Sequence, residues 1–275
     1  MPERPRVRRG QGPSRDQRPI RCREAAKTSW DRVAGWYDGW VGERGSTYHQ
    51  AVAIPATLEL LDPQPAEEIL DLGAGQGVLA PYVVQRGARY TGLDASPRLI
   101  AAARRRHGTR GRFLLGDARD LRAVDGIRRT SYDAAVFLLS IQDIDPIEPV
   151  LDSVTWALRP TGRVVIVMTH PAFRQPRHSG WGFDESRKLQ FRRVDSYLTP
   201  MAVPMKSIGG EPPTRSFHRP LSSYVDALAN AGFVVDAMRE IADLPPDRRP
   251  GKQSRAASRA DAEIPMFLAL RALRR

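Results

Sequence analysis

Residues 69–77 read ILDLGAGQG, and seventeen residues beyond the last of these glycines Asp94 closes the run YTGLD. Ile69, Leu70 and Leu72 form a short apolar run of the kind that a parallel strand buries on both faces. Gly73, Gly75 and Gly77 follow at alternate positions, where the chain can turn sharply and approach a ligand with no Cβ in the way. Asp94 ends a second strand-like run, Tyr90-Thr91-Gly92-Leu93. A carboxylate at such a strand end suits two neighbouring hydroxyls, such as those of a ribose. Together the loop and the acid predict a site for a nucleoside-containing cofactor.

The spacing narrows the choice. A dinucleotide loop, GxGxxG, needs its third glycine at position 78, which is Val78. No GxxxxGK[ST] phosphate loop occurs, and Asp71 ahead of the glycines opposes a pyrophosphate but suits a cationic group. An acid before GxGxG and a second acid after the next strand resemble motifs I and II of the class I S-adenosylmethionine (SAM) methyltransferases. FLLGDARDL (113–121) resembles the third motif, YDAAVFLLSIQDI (132–144) the fourth, and LRPTGRVVIVMTHP (158–171) the turn and fifth strand that follow. The resemblance covers roughly 69–171. It implies a Rossmann-like α/β fold with a mostly parallel seven-stranded sheet and helices on both faces, and SAM as cofactor. It also implies cofactor contacts at Asp71, Gly73, Gly75, Gly77, Asp94, Ala95, Asp117, Ala118, Ser140 and Gln142. In it, Asp117 faces the adenine amino group, and the end of the fourth strand reaches the methyl donor.

With 275 residues the chain can bury a sizeable core as one large domain or a domain with appendages. No apolar run approaches the ~20 residues of a membrane span, and no apolar stretch follows the basic N-terminus as a secretory signal requires. The single cysteine, Cys22, leaves neither a disulfide framework nor a Cys-rich zinc site, so a cytoplasmic location is the default. The net charge of +12 sits at the ends: residues 1–27 carry +6 and 246–275 carry +5, leaving +1 on 28–245. A nearly neutral body is no footprint for a phosphate backbone, and nucleic acid is not the expected partner.

Residues 1–26 read as a disordered basic tail and 27–275 as one domain. Within the domain, 27–64 carries aromatic and aliphatic residues at helical spacing, giving two helices joined near 42–45 that act as a lid. Helices are expected at 78–86, 97–107, 147–158 and 221–231. Strands are expected at 113–115, 134–139, 164–169, 233–238 and 266–270, with 245–262 a flexible loop. Segment 170–219 is rich in Pro, Gly, His and Arg, yet holds Phe173, Trp181, Phe183, Phe191 and Tyr197. It reads as a cap of short helices and strands inserted after the fifth strand, with Trp181, Phe183 and Tyr197 lining a closed substrate pocket.

A general base is needed only for an acceptor that keeps its proton at working pH. His170, at the end of the fifth strand, leads the candidates; its alternative is a loop histidine bonded to backbone. His49 in the lid and Asp143 after the fourth strand follow, with no metal set completed by any of them. Tyr37 and Tyr48 close over the cofactor's methionyl end by the resemblance, or else pack in the core, as is expected of Trp30 and Trp36.

The chain lacks the [DNS]PP[YFW] run of base amino-methylating enzymes, and Cys22 lies outside any strand-end position for cytosine chemistry. A cap after the fifth strand and a helical lid resemble the small-molecule enzymes of the broad type 11 group. The expected reaction is methyl transfer to O or N of a small molecule, with oligomeric state left open. The alternatives are an RNA or protein methyltransferase using the basic tails, and a SAM-binding protein without catalysis. Removing residues 1–25 separates the first two: small-molecule turnover should change less than about twofold, whereas an RNA methylation that is steeply salt-dependent in the full chain should be lost.

Overall fold

The computed structural model describes residues 28, 30–207, 209–245, 248 and 254–275, and the tail expected over 1–26 lies outside them. Five strands run parallel: β1 (Glu68–Leu72), β2 (Arg89–Asp94), β3 (Arg112–Leu115), β4 (Tyr132–Leu138) and β5 (Leu158–Thr169). β10 (Phe233–Ile241) and β11 (Phe267–Arg274) complete a seven-stranded sheet in the order β10-β11-β5-β4-β1-β2-β3, in which β11 is antiparallel to both neighbours. The mostly parallel seven-stranded sheet expected from the sequence is therefore present.

Strand parity builds two cores. Leu70 and Leu72 of β1, Ala135 and Phe137 of β4, and Val164, Ile166 and Met168 of β5 face one side. There they pack against α5 (Glu148–Ala157) and α6 (Leu221–Asn230) through Val150, Leu151, Val154, Ala227 and Leu228. Ile69, Ala134, Val136, Val165 and Val167 face the other side. They meet Leu60 and Leu61 of α2 (Ile54–Leu61), Val83 of α3 (Ala80–Val84), and Ile100 and Ala103 of α4 (Pro97–His107). Strands buried on both faces need continuous apolar runs, which is why Asp71, 1% exposed amid such a run, has to act on something other than water.

The chain leaves β1 for β2 and β3 on one side, then returns to β4 on the other, so the order reverses between β1 and β4. Loops after these two strands diverge over a crevice, where ligands of open α/β sheets sit. α1 (Trp30–Val41) lines that crevice through Trp30, Tyr37 and Trp40. It is held to α4 by Asp31, which accepts from Ser96 Oγ at 2.6 Å and Arg98 N at 3.0 Å, and by the ion pair of Asp38 with Arg106. An acid at the N-terminus of α4 is stabilised by the exposed amides there. A π-helical turn, His49–Ala53, links α1 to α2.

Four expectations are corrected. The helix expected over 78–86 shrinks to Ala80–Val84, because Pro81 fits only a first helical turn. Segment 170–219 holds two antiparallel pairs, β6 (Ser179–Asp184) with β7 (Leu189–Val194) and β8 (Met201–Pro204) with β9 (Arg215–His218). No helix occurs among its described residues. The loop expected over 245–262 contains α7 (Arg255–Glu263), capped by Ser254 Oγ accepting from Ala257 N and laid against β7. Trp36 is 46% exposed and stacks on Trp40 rather than entering the core.

Gly77 takes φ +82°, and a Cβ there would lie 2.6 Å from Phe113 Cε1. Gly77→Ala should cost about 1–3 kcal/mol through backbone strain and overpacking. Gly39→Ala, in an open helical position, should be neutral or slightly stabilising. Urea denaturation of the two variants checks the contrast.

Candidate active site

A cavity of about 620 Å³ opens at the β1–β4 reversal, within the usual size of small-molecule sites. Its floor is the glycine loop and the turn after β4. Gly73 N and Ala74 N both donate to Leu93 O, at 2.8 and 2.9 Å, so the loop folds back on the end of β2. Ser140 Oγ donates to Leu72 O at 2.6 Å and stitches β4 to β1. A Cβ at Gly73 would lie 2.5 Å from that of Ser140, so only glycine admits the two turns side by side. Leu139, left-handed at φ 56°, turns the chain so that Ser140 to Asp143 cross the floor.

Asp94 stands at the centre of one half of the cavity. Its Oδ2 accepts from Gly75 N at 2.9 Å and its Oδ1 from Ser96 N at 2.8 Å. Burial raises its pKa, against the lowering effect of those amides. Each oxygen keeps a lone pair for a ligand hydroxyl. Gly75 has only the Tyr37 ring near its missing Cβ, at 3.6 Å, and leaves the backbone open to a ligand. Ala95, Asp117 and Ala118 line the same half. Asp117 binds Arg119 by two nitrogens, and that guanidinium also reaches Asp145 O at 3.0 Å. Burial pulls the Asp117 carboxyl up, but the hydrogen bonds and charge of Arg119 outweigh it and hold the group below its ordinary value.

The other half is lined from α1, the π-helical turn and the turn after β5. Tyr37, Tyr48 and His49 line it, with Trp30 and Trp40 at the rim. Burial and the nearby acids Asp143, Asp94 and Asp71 raise the Tyr37 hydroxyl. His49 is 3% exposed, its Nδ1 lies 2.9 Å from Ser46 Oγ, and burial pushes it down to about 4. Gln142 and Asp143 face the cavity too. Burial, aided by the Asp94 charge, drives Asp143 well above the usual carboxylate range, although a hydrogen bond from Ser216 opposes this.

Three expected site residues stand elsewhere. His170 is 4% exposed and outside the cavity lining: Nδ1 accepts from Ala172 N at 3.2 Å, and Nε2 lies 3.1 Å from Glu240 Oε1. Both nitrogens are engaged, so it braces the turn after β5 and has none to offer a substrate. Asp71 sits beneath the loop, accepting from Tyr90 Oη at 2.6 Å, and burial raises it to about 7. Its other oxygen has no partner among the described residues. Gly77 packs on Phe113 and lets the loop close, rather than facing the cavity. The cap aromatics differ as well. Trp181 and Phe183 are solvent-exposed, and Tyr197 Oη accepts from Leu221 N, so none of the three lines the cavity. That wall comes instead from Arg174, Gln175 and Pro176 after β5, Phe217 of β9 and Phe267 of β11. Arg174 and Phe267 were invisible to motif reading, since only the fold brings them to the same crevice, whereas Arg119 stands inside the third motif but carried no role there.

Among the described residues no set of three or more His, Cys, Asp or Glu side chains could hold a metal ion, and no helix is long and apolar enough to cross a membrane.

A reversed-order parallel sheet with a glycine loop, a strand-end acid and an antiparallel last strand defines a Rossmann-like methyltransferase fold. Residues 70–166 match the family model described as a methyltransferase domain. A demethylmenaquinone methyltransferase of Beutenbergia cavernae is 26% identical over 183 residues, 66% of this chain and 69% of that protein. One from Tropheryma whipplei is 32% identical over 121 residues, 42% of this chain and 48% of that protein. The crystal structure of a SAM-dependent methyltransferase from Mesorhizobium loti superposes with a TM-score of 0.65 at 26% identity, covering 85% of this chain and all of that one. The chain carries a SAM-dependent methyltransferase domain with the class I, Rossmann-like fold, and SAM is its cofactor.

Asp71 yields a stability prediction. An acid raised in the folded state keeps its proton where the unfolded chain has lost it. Stability therefore falls as pH climbs from 3.8 to about 7 and levels off above. Asp71→Asn removes that slope. Urea melts at pH 4.5 and 7.5 should show the variant gaining roughly 2–4 kcal/mol relative to wild type over the interval.

Proposed function

We propose that the chain transfers the SAM methyl group to an oxygen or nitrogen of a small, partly aromatic molecule held in the 620 Å³ cavity. The observation that carries this reading is the make-up of the cavity. One half presents ribose-suited Asp94 and open Gly75, and the other is walled by Tyr48, Phe217 and Phe267. Those walls suit a flat apolar body, whereas an RNA strand needs a basic groove. Residues 27–275 act as one domain, with 27–64 as a lid and 170–219 as a cap.

The residues divide the work. Asp94 takes the ribose hydroxyls through its free lone pairs. Asp117, fixed by Arg119, and the Ala118 amide face the adenine edge. Gly73 and Gly75 let the backbone approach, and Ala95 and Ser140 shape the walls around them. Asp71 acts from below, as a brace for the loop through Tyr90. Tyr37 and Tyr48 from the lid and Gln142 from the floor enclose the methionyl end and the acceptor. SAM supplies a methyl group on an already activated sulfonium. The protein's part is therefore mainly to orient the acceptor and exclude water. Where the acceptor must lose a proton, His49 is the group in place. Its burial keeps it neutral, and with Nδ1–H donated to Ser46 Oγ the Nε2 lone pair is left to receive the proton. Asp143, whose carboxyl burial raises well above the usual range, faces the same space.

The test couples binding to turnover. Wild type should bind S-adenosylhomocysteine in a calorimeter, and should release it from SAM with a small aromatic acceptor but not with bulk RNA or protein. Asp94→Ala should weaken cofactor binding about ten- to more than a hundred-fold, the loss of hydrogen bonds to a charged acceptor. Unchanged affinity would remove Asp94 from the cofactor site.

A further inference from the structure

The half of the cavity walled by Arg174 contains polar atoms that nothing among the described residues satisfies. Arg174 Nη1 is buried with no hydrogen-bond partner among the described residues. Its guanidinium lies over two rings, 4.9 Å from the centroid of Tyr48 and 4.5 Å from that of Phe267. Such stacking fixes the plane of the guanidinium while leaving its edge free. The nearby acid Asp243 is occupied by the Tyr48 hydroxyl and the Leu244 amide. Beside Arg174, Gln175 is 3% exposed; its Nε2 donates to Ala172 O at 3.2 Å, and its Oε1 has no partner. Across the cavity, Gln142 Nε2 donates to Leu139 O at 2.6 Å, and its Oε1 is likewise unmatched. All three residues line the one cavity.

Buried polar atoms are normally paired, and leaving one unpaired is costly. Two amide orientations fixed by backbone carbonyls and one guanidinium lying over two neighbouring rings are a pattern awaiting a ligand. We propose that Arg174 is the specificity-determining residue of the acceptor site, and that the acceptor carries an anionic oxygen on a flat ring system. Gln142 and Gln175 offer acceptors to an O–H or N–H of the same molecule. Tyr48 and Phe267 then serve two ends, holding the guanidinium and extending the apolar wall on which the ring lies. This rests on the methyltransferase reading above and narrows its substrate class to aromatic acids or ionised phenols and enols.

The test uses protein saturated with S-adenosylhomocysteine, titrated with 2-naphthoate, with the acidic phenol 4-nitrophenol, and with neutral 2-naphthamide. Wild type should bind at least one anionic probe about ten-fold or more tightly than the amide, and the preferred anion tells carboxylate from phenolate. Arg174→Gln should abolish that preference while leaving S-adenosylhomocysteine affinity and the thermal midpoint near wild type. Arg174→Lys, which keeps charge but loses the planar fork, should restore only part of it. Equal or undetectable binding of all three probes by wild type would overturn the proposal. So would a preference that survives Arg174→Gln. A fall in S-adenosylhomocysteine affinity in Arg174→Gln would assign the guanidinium to the cofactor carboxylate instead. Absence of S-adenosylhomocysteine binding by wild type would mark failure of the functional reading itself, separately from the role of Arg174.

Discussion

The Asp94 carboxylate holds the site together. One oxygen receives the Gly75 amide and the other the Ser96 amide, so a single side chain joins the glycine loop after β1 to the start of α4. Ser96 in turn donates its hydroxyl to Asp31 of α1. Loop, strand end and α4 thus converge on two oxygens, with α1 joined to them one step away through Ser96. Burying a charge is expensive unless it is hydrogen-bonded, and two backbone donors make this one tolerable. The same donors fix the direction of the remaining lone pairs, toward the cavity that a nucleoside would fill.

Around that centre the protein spends buried polarity in two different ways. Beneath the loop, one Asp71 oxygen accepts from Tyr90 Oη and ties β1 to β2, while the other stays unpaired among the described residues. Facing the cavity, Arg174, Gln175 and Gln142 keep one atom each unsatisfied. The first arrangement is structural; the second stores recognition, since its cost is recovered only when a complementary molecule arrives. His170 belongs with the first group despite its place at a strand end. It donates to Glu240 and accepts from the turn it starts.

Much of the fold was legible because its signals are local. Apolar runs at 69–72, 90–93 and 134–138, glycines at alternate positions and a Pro-initiated helix at 97 each reflect sterics within a few residues. The acids Asp94 and Asp117 were legible for the same reason, as strand ends carry ligands in this topology. The short α3 and the helix α7 were misread although local signals existed: Pro81 restricts the first, and Ser254 followed by alanines marks the second. The cap was misread for a different cause. Alternation along β6 puts Trp181 and Phe183 on one face, but which face meets the cavity depends on how the hairpin docks, and it docks with that face outward.

The sequence by itself determined a parallel α/β sheet, a glycine turn and the strand-end acids, because each is dictated by backbone sterics and strand periodicity over short stretches. The tertiary structure alone decided which polar groups remain unpaired. Arg174 and Phe267 lie 93 residues apart, and only the insertion of antiparallel β11 beside β5 brings ring and guanidinium within 4.5 Å. The Asp94 half of the cavity is therefore written in motifs, whereas the Arg174 half is written in packing between distant elements, which no local pattern encodes.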